Sequence, residues 1–215
     1  MSIAKIITYL FVTTLLSVLS NNAAAQAYEE LLAAVQTGQV KLVQGFLDRG
    51  MDPDTANPEG LTLLMIAARQ GHADVAALLL QRKASVRRRS PHGDSPLMMA
   101  AMGGKLQIAE MLLDRGAEMN HPGWTPLHYA AFEGHADVAR LLLKRGADRD
   151  ALAPNGYTAL MLAARGGHVE AARALLSADA DFRIAGPNGE TAMSIAEQRA
   201  HAEVVELLKR AGAVR

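Results

Sequence analysis

Cysteine is absent from the 215 residues, so no disulfide, thiolate nucleophile or cysteine-held metal can form. That absence permits an oxidising compartment without requiring one. Net charge is absent too, with 22 Lys and Arg against 22 Asp and Glu. Phosphate neutralisation needs a basic excess, so nucleic acid is not an expected partner. Aromatic residues are scarce, at 4% of the chain with a single Trp. The motifs of common catalytic sites are missing: G-x-S-x-G, H-E-x-x-H, G-x-x-x-x-G-K-[ST] and G-x-G-x-x-G. Asp52 and Asp54 alternate as in a calcium loop, but Pro53, Pro58 and the missing terminal Glu argue against one. The chain is therefore expected to be no enzyme, with no cofactor, no metal and no small-molecule substrate.

Long apolar runs are also lacking, with one exception. Lys5 precedes an almost unbroken apolar stretch from Ile6 to Leu19, and polar Ser20, Asn21 and Asn22 follow. The small-residue patch Ala23-Ala24-Ala25-Gln26-Ala27 comes next. This is the pattern of a secretory signal peptide, cleaved after Ala25 or after Ala27. A membrane span needs about 20 apolar residues, and the run stops short of that. No cysteine follows it, which excludes a lipoprotein anchor. The expected division is a signal peptide over 1–25 and one domain over 26–215. An uncleaved N-terminus tethering the chain to a membrane is the alternative.

What the chain has in plenty is repetition. Gly60, Gly93, Gly123, Gly156 and Gly189 each stand two residues before a Thr or Ser, namely Thr62, Ser95, Thr125, Thr158 and Thr191. The intervals are 33, 30, 33 and 33 residues. Gly71, Gly104, Gly134, Gly167 and Ala200 keep step, and so do Leu79, Leu112, Leu142, Leu175 and Leu208, with Phe46 extending the last column upstream. Several columns sharing one period mark a repeat architecture.

Each unit reads as a pair of helices. The Thr or Ser is an N-cap, and Pro96 and Pro126 sit at the first helical position, where a missing N–H costs nothing. The second glycine column ends a short apolar helix. The next helix has Asp74, Asp137, Glu170 or Glu203 near its positive end, carries the Leu column and finishes basic. Gly116, Gly146 and Gly212 take the left-handed stop position.

These residues resemble the ankyrin repeat. Thr125-Pro126-Leu127-His128-Tyr129-Ala130 fits the T-P-L-H-x-A signature, and Gly134-His135-Ala136-Asp137-Val138-Ala139, Leu141-Leu142-Leu143 and Gly146-Ala147-Asp148 continue the pattern. The resemblance implies an all-α ankyrin-repeat solenoid of about six helix-turn-helix units joined by β-hairpin-like fingers. The units fall near 28–56, 57–89, 90–120, 121–153, 154–186 and 187–215. The first has Glu29 where the cap belongs. The last carries Glu203, Glu206, Lys209 and Arg210 on its second helix, as capping repeats that face water do.

The resemblance also implies a function: binding of another protein through the concave groove. Family-variable positions map here to Trp124 and Tyr157 before the caps, and to Arg69, Met102, Phe132, Glu133 and Arg165 near the ends of first helices. Trp124, Phe132 and Tyr157 fall in adjacent units, and large aromatics with Arg dominate binding hot spots. Between the third and fourth units the interval is 30 residues. The segment 118–123 is therefore a shortened finger, which leaves a gap in the row of tips. Arg87-Arg88-Arg89 reads as a solvated tip, with an acidic partner or phospholipid as the alternative. His72, His135, His168 and His201 recur after the helix-ending glycine and are expected to bond backbone in that turn. Successive units space them apart, so they cannot converge on a metal. His128, by resemblance, bonds between neighbouring units. The expectation is an exported bacterial protein, monomeric, that binds or chaperones a periplasmic partner. The alternatives are an immunity protein neutralising a secreted toxin, and an enzyme or metal-binding protein on a repeat scaffold.

Overall fold

The computed structural model describes residues 23–212. The apolar run of the signal-peptide reading lies outside the described residues. The cleavage positions of that reading, Ala25 and Ala27, stand in the first described helix, α1, over 23–36.

Six helix pairs follow one another. They are α1 with α2 (Val40–Asp48), α3 (Leu63–Gln70) with α4 (Ala73–Gln81), and α5 (Pro96–Met102) with α6 (Leu106–Asp114). Then come α7 (Pro126–Phe132) with α8 (Ala136–Lys144), α9 (Ala159–Gly166) with α10 (Val169–Ser177), and α11 (Ala192–Gln198) with α12 (Ala202–Arg210). First helices pack on first helices and second on second. No pair can bury its apolar face alone, so the core is continuous along the stack. Leu79, Leu112, Leu142, Leu175 and Leu208 are all fully buried, each contributing about 1.5–3 kcal/mol.

The caps form as their residue types require. The hydroxyls of Thr62, Ser95, Thr125, Thr158 and Thr191 accept from the backbone N–H three residues on, at the start of α3, α5, α7, α9 and α11. The second helices have no side-chain cap. The histidines at their starts do something else, which corrects the expected bond within the turn. His72, His135, His168 and His201 place Nε2 2.8–3.2 Å from the carbonyls of Gln36, Met102, Phe132 and Arg165, at the end of the preceding unit's first helix. Each ring lies over the glycine of that preceding unit. A Cβ on Gly104 would stand 2.6 Å from Nδ1 of His135. Among the described residues no histidine ring lies over Ala200, which holds φ of 58° with its Cβ.

Among the described residues the fingers contain no regular strand, only an isolated bridge from Ala56 to Thr62. Four finger tips close identically. Asn57, Ser90, Ala153 and Gly186 donate N–H to the carbonyl four residues on and accept from the finger glycine. The short finger lacks that pair. Its Asn120 reaches forward instead, donating to Gly146 O and accepting from Asp148 N at 3.0 and 2.9 Å. Pro91 and Pro187 press on Gly60 and Gly156, whereas nothing lies within 4 Å of where a Cβ on Gly93 would sit. The deletion has thus loosened finger packing, most at Gly93 and also at Gly123, where a Cβ would meet only Pro154, at 4.0 Å.

The stop after the second helix shows a different irregularity. Gly50, Gly116, Gly146 and Gly212 have φ of 76–94° there, and Lys83 and Asp179 hold the same conformation at 65° and 58°. Both side chains are exposed. Left-handed backbone costs an L-residue roughly 1–2 kcal/mol, partly offset by the larger entropy a glycine loses on folding. Lys83→Gly and Asp179→Gly are each expected to raise stability by about 0.5–1 kcal/mol in urea unfolding, with Lys83 gaining more because Asp tolerates this region better. An unchanged or lowered midpoint contradicts this.

Candidate functional site

The gap beside the short finger is a cleft of about 430 Å³. Trp124, immediately before the cap Thr125, forms part of its wall. Its ring packs on Tyr129, centroids 5.7 Å apart, and meets His128 edge-on at 5.9 Å. Tyr129 sits one turn into α7 and donates its hydroxyl to Asp94 Oδ1 of the preceding unit at 2.8 Å. Burial, together with that carboxylate, holds the phenol pKa well above its ordinary value. Arg89 spans the loosened step. It donates to Gly93 O at 2.8 Å and to Glu118 at 2.8 Å, and its guanidinium lies 3.2 Å from His121 Nε2. The basic run is therefore not wholly a solvated tip: Arg87 and Arg88 are exposed, and Arg89 is turned inward to bridge two fingers.

His128 is buried behind Trp124 and ties two units together. Thr125 N–H donates to Nδ1 at 3.1 Å, so the proton sits on Nε2, which donates to Ala151 O in the next finger at 2.9 Å. This is the inter-unit bond the resemblance implied. Desolvation keeps the folded imidazole's pKa below the ordinary 6.5. The unfolded chain consequently takes up the proton first as pH falls. The stability contributed is complete above about pH 6.5 and is lost as pH drops below it. His128→Met, the residue that sister units carry as Met65, Met98 and Met161, is expected to flatten the dependence of the urea midpoint on pH below about 6.5. An unchanged slope contradicts this.

A second cleft, of about 560 Å³, lies between the last finger and α11. Tyr157 and Arg165 line it with Asn188, Glu190, Gln198 and Arg199. Tyr157 donates to Glu190 Oε1 at 2.6 Å, which holds the Glu190 carboxyl below its ordinary range.

The aromatic trio named from sequence is not brought together. Trp124 and Tyr157 line separate clefts, and Phe132 lines neither. Phe132 closes α7 at 45% exposure, with exposed Glu133 as the C-cap. Arg69 and Arg165 are likewise exposed near the ends of α3 and α9, and Met102 is half-buried at the end of α5. Sequence reasoning missed Tyr129, Arg89 and the place of Arg199 beside Arg165. An aromatic at the x of T-P-L-H-x-A was the available signal for Tyr129.

Among the described residues no group of three or more His, Cys, Asp or Glu could hold a metal ion. No described helix is long and apolar enough to cross a membrane. A comparison with curated proteins finds no match. The family model for ankyrin repeats (3 copies) matches residues 31–122, 85–153 and 145–214. With six stacked helix pairs, the shared caps and the inter-unit histidine in place, the chain belongs to the ankyrin-repeat family, a family of protein–protein interaction modules.

Proposed function

We propose that this chain is an exported, non-catalytic module that binds or chaperones a periplasmic partner protein through its concave groove. One observation carries the reading. The ends of the first helices present Arg69, Phe132, Glu133 and Arg165 as exposed side chains that the stack itself does not need. Exposed aromatic and Arg side chains are residue types enriched at protein interfaces. Export rests on the apolar run and alanine patch of the N-terminus. The partner protein is the only ligand class the reading requires, and one copy of the chain suffices to bind it.

The test pairs two measurements. N-terminal sequencing of the exported protein should give a start at Gln26 or Tyr28; a start at Met1 replaces export with a tether. Crosslinking in the periplasm should capture a discrete partner with the native chain and lose it with Phe132→Ala/Arg165→Ala. Equal capture by that variant removes the groove from the reading.

A further inference from the structure

The two clefts differ in how their charges are spent. Beside the short finger, Arg89 is paired with Glu118, and Asp94 accepts from Tyr129 and Ser90. That cleft is internally satisfied. At the last finger the acid is committed but the bases are not. Glu190 Oε1 accepts from Tyr157 and Oε2 from the Asn188 N–H at 2.9 Å, so both oxygens of the only lining carboxylate face the finger. Arg165 and Arg199, from adjacent units, line the same cleft. Neither enters any salt bridge between described residues, although eight other arginines do. Both are exposed, and both guanidiniums act on the Tyr157 hydroxyl.

We propose that this cleft receives an acidic segment of the partner protein, with an Asp or Glu carboxylate held between Arg165 and Arg199. The inference rests on the reading of the chain as an interaction module and adds the chemistry of the partner. Two guanidiniums offer planar, multiple N–H donors that match a carboxylate's geometry. Gln198, the last residue of α11 beside Arg199, adds an amide donor. The cleft has one acid and two bases among its lining residues, so the net field attracts an anion. The row of outer helices shows the contrast: Arg82 and Arg145 there are met by Asp48 and Asp114 of the preceding unit. Arg165 and Arg199 have no such salt-bridge partner among the described residues, and a partner protein can supply it. Charge complementarity of this kind sets specificity and on-rate, and is screened by salt.

The test is selection from an unbiased displayed 12-residue peptide library, on the full chain and on Arg165→Glu/Arg199→Glu. Circular dichroism on both proteins verifies the fold, since both side chains are exposed. The native chain is expected to enrich Asp- and Glu-containing peptides. The reversed variant is expected to enrich Lys and Arg instead. A fluorescein-labelled copy of the best acidic peptide should bind the variant at least tenfold more weakly and weaken with added NaCl. Enrichment without an acidic bias, or an acidic bias unchanged by the reversal, overturns the acidic-partner inference and leaves the interaction module standing. Displacement of the peptide by sub-millimolar inorganic phosphate overturns it in favour of a small-anion site. No enrichment at all from either protein overturns both readings.

Discussion

Gly104→Ala is expected to lower stability by about 1–2.5 kcal/mol, a large loss for a residue without a side chain. Two costs add. Gly104 has φ of 65°, where an L-residue costs about 0.5–1 kcal/mol once the entropy a glycine loses on folding is set against the strain. The new Cβ would also stand 2.6 Å from His135 Nδ1. The ring must then move, and the bond from His135 Nε2 to Met102 O is lost at about 0.5–1.5 kcal/mol. The costs separate in a double-mutant cycle with His135→Ala. In the His135→Ala background only the backbone cost should remain, so the cycle is expected to show coupling of about 1 kcal/mol. The chain contains its own control: Ala200 stands in the same column at φ 58°, and among the described residues no histidine ring is stacked over it. Urea unfolding checks the result, and a Gly104→Ala loss below about 1 kcal/mol would contradict the ladder.

That ladder shows where reading along one dimension stops. The recurrence of His72, His135, His168 and His201 after glycine marks them as structural, and they are. Their partner lies in the preceding unit, and a period says that a residue recurs without saying in which direction its side chain leans. The Leu column was fully legible, because burial at a fixed helical position needs no knowledge of the neighbour. So were the caps, whose bonds are local. The short finger was legible as a 30-residue interval, and the slack it leaves at Gly93 follows from the count. What bridges the slack did not follow. Arg89 is one of three consecutive arginines, and only the fold distinguishes the inward one from the outward two. Trp124 and Phe132 belong to the same unit, yet one precedes the first helix and the other ends it. Eight residues of separation place them at opposite ends of α7, so proximity in sequence did not become one patch.

The loosened step also sets how the stack should fail. Leu142 is fully buried in α8, which packs between α6 and α10. Leu142→Ala should cost about 2–5 kcal/mol, the range for deleting a buried leucine in a site that cannot collapse. In a linear array the loss acts first on the unit itself and its two interfaces. One of those interfaces is the step where Gly93 finds no finger to pack on and Asn120 lacks the closing bonds of its counterparts. The fourth unit of the variant should therefore come apart before its neighbours. The single Trp reports on that unit alone, while circular dichroism reports on all helices. In the native chain the two urea transitions are expected to coincide, as one cooperative stack requires. In Leu142→Ala the Trp124 transition should precede the helical one. The same truncation at Leu208 lies in the last described unit, which packs on one described neighbour and exposes Glu203, Glu206, Lys209 and Arg210. It should fray that end, shift the midpoint less and leave the Trp124 transition nearly in place. If both variants keep coincident transitions and lose equal stability, the step beside the short finger is not the weak interface, and its slack is confined to the finger tips.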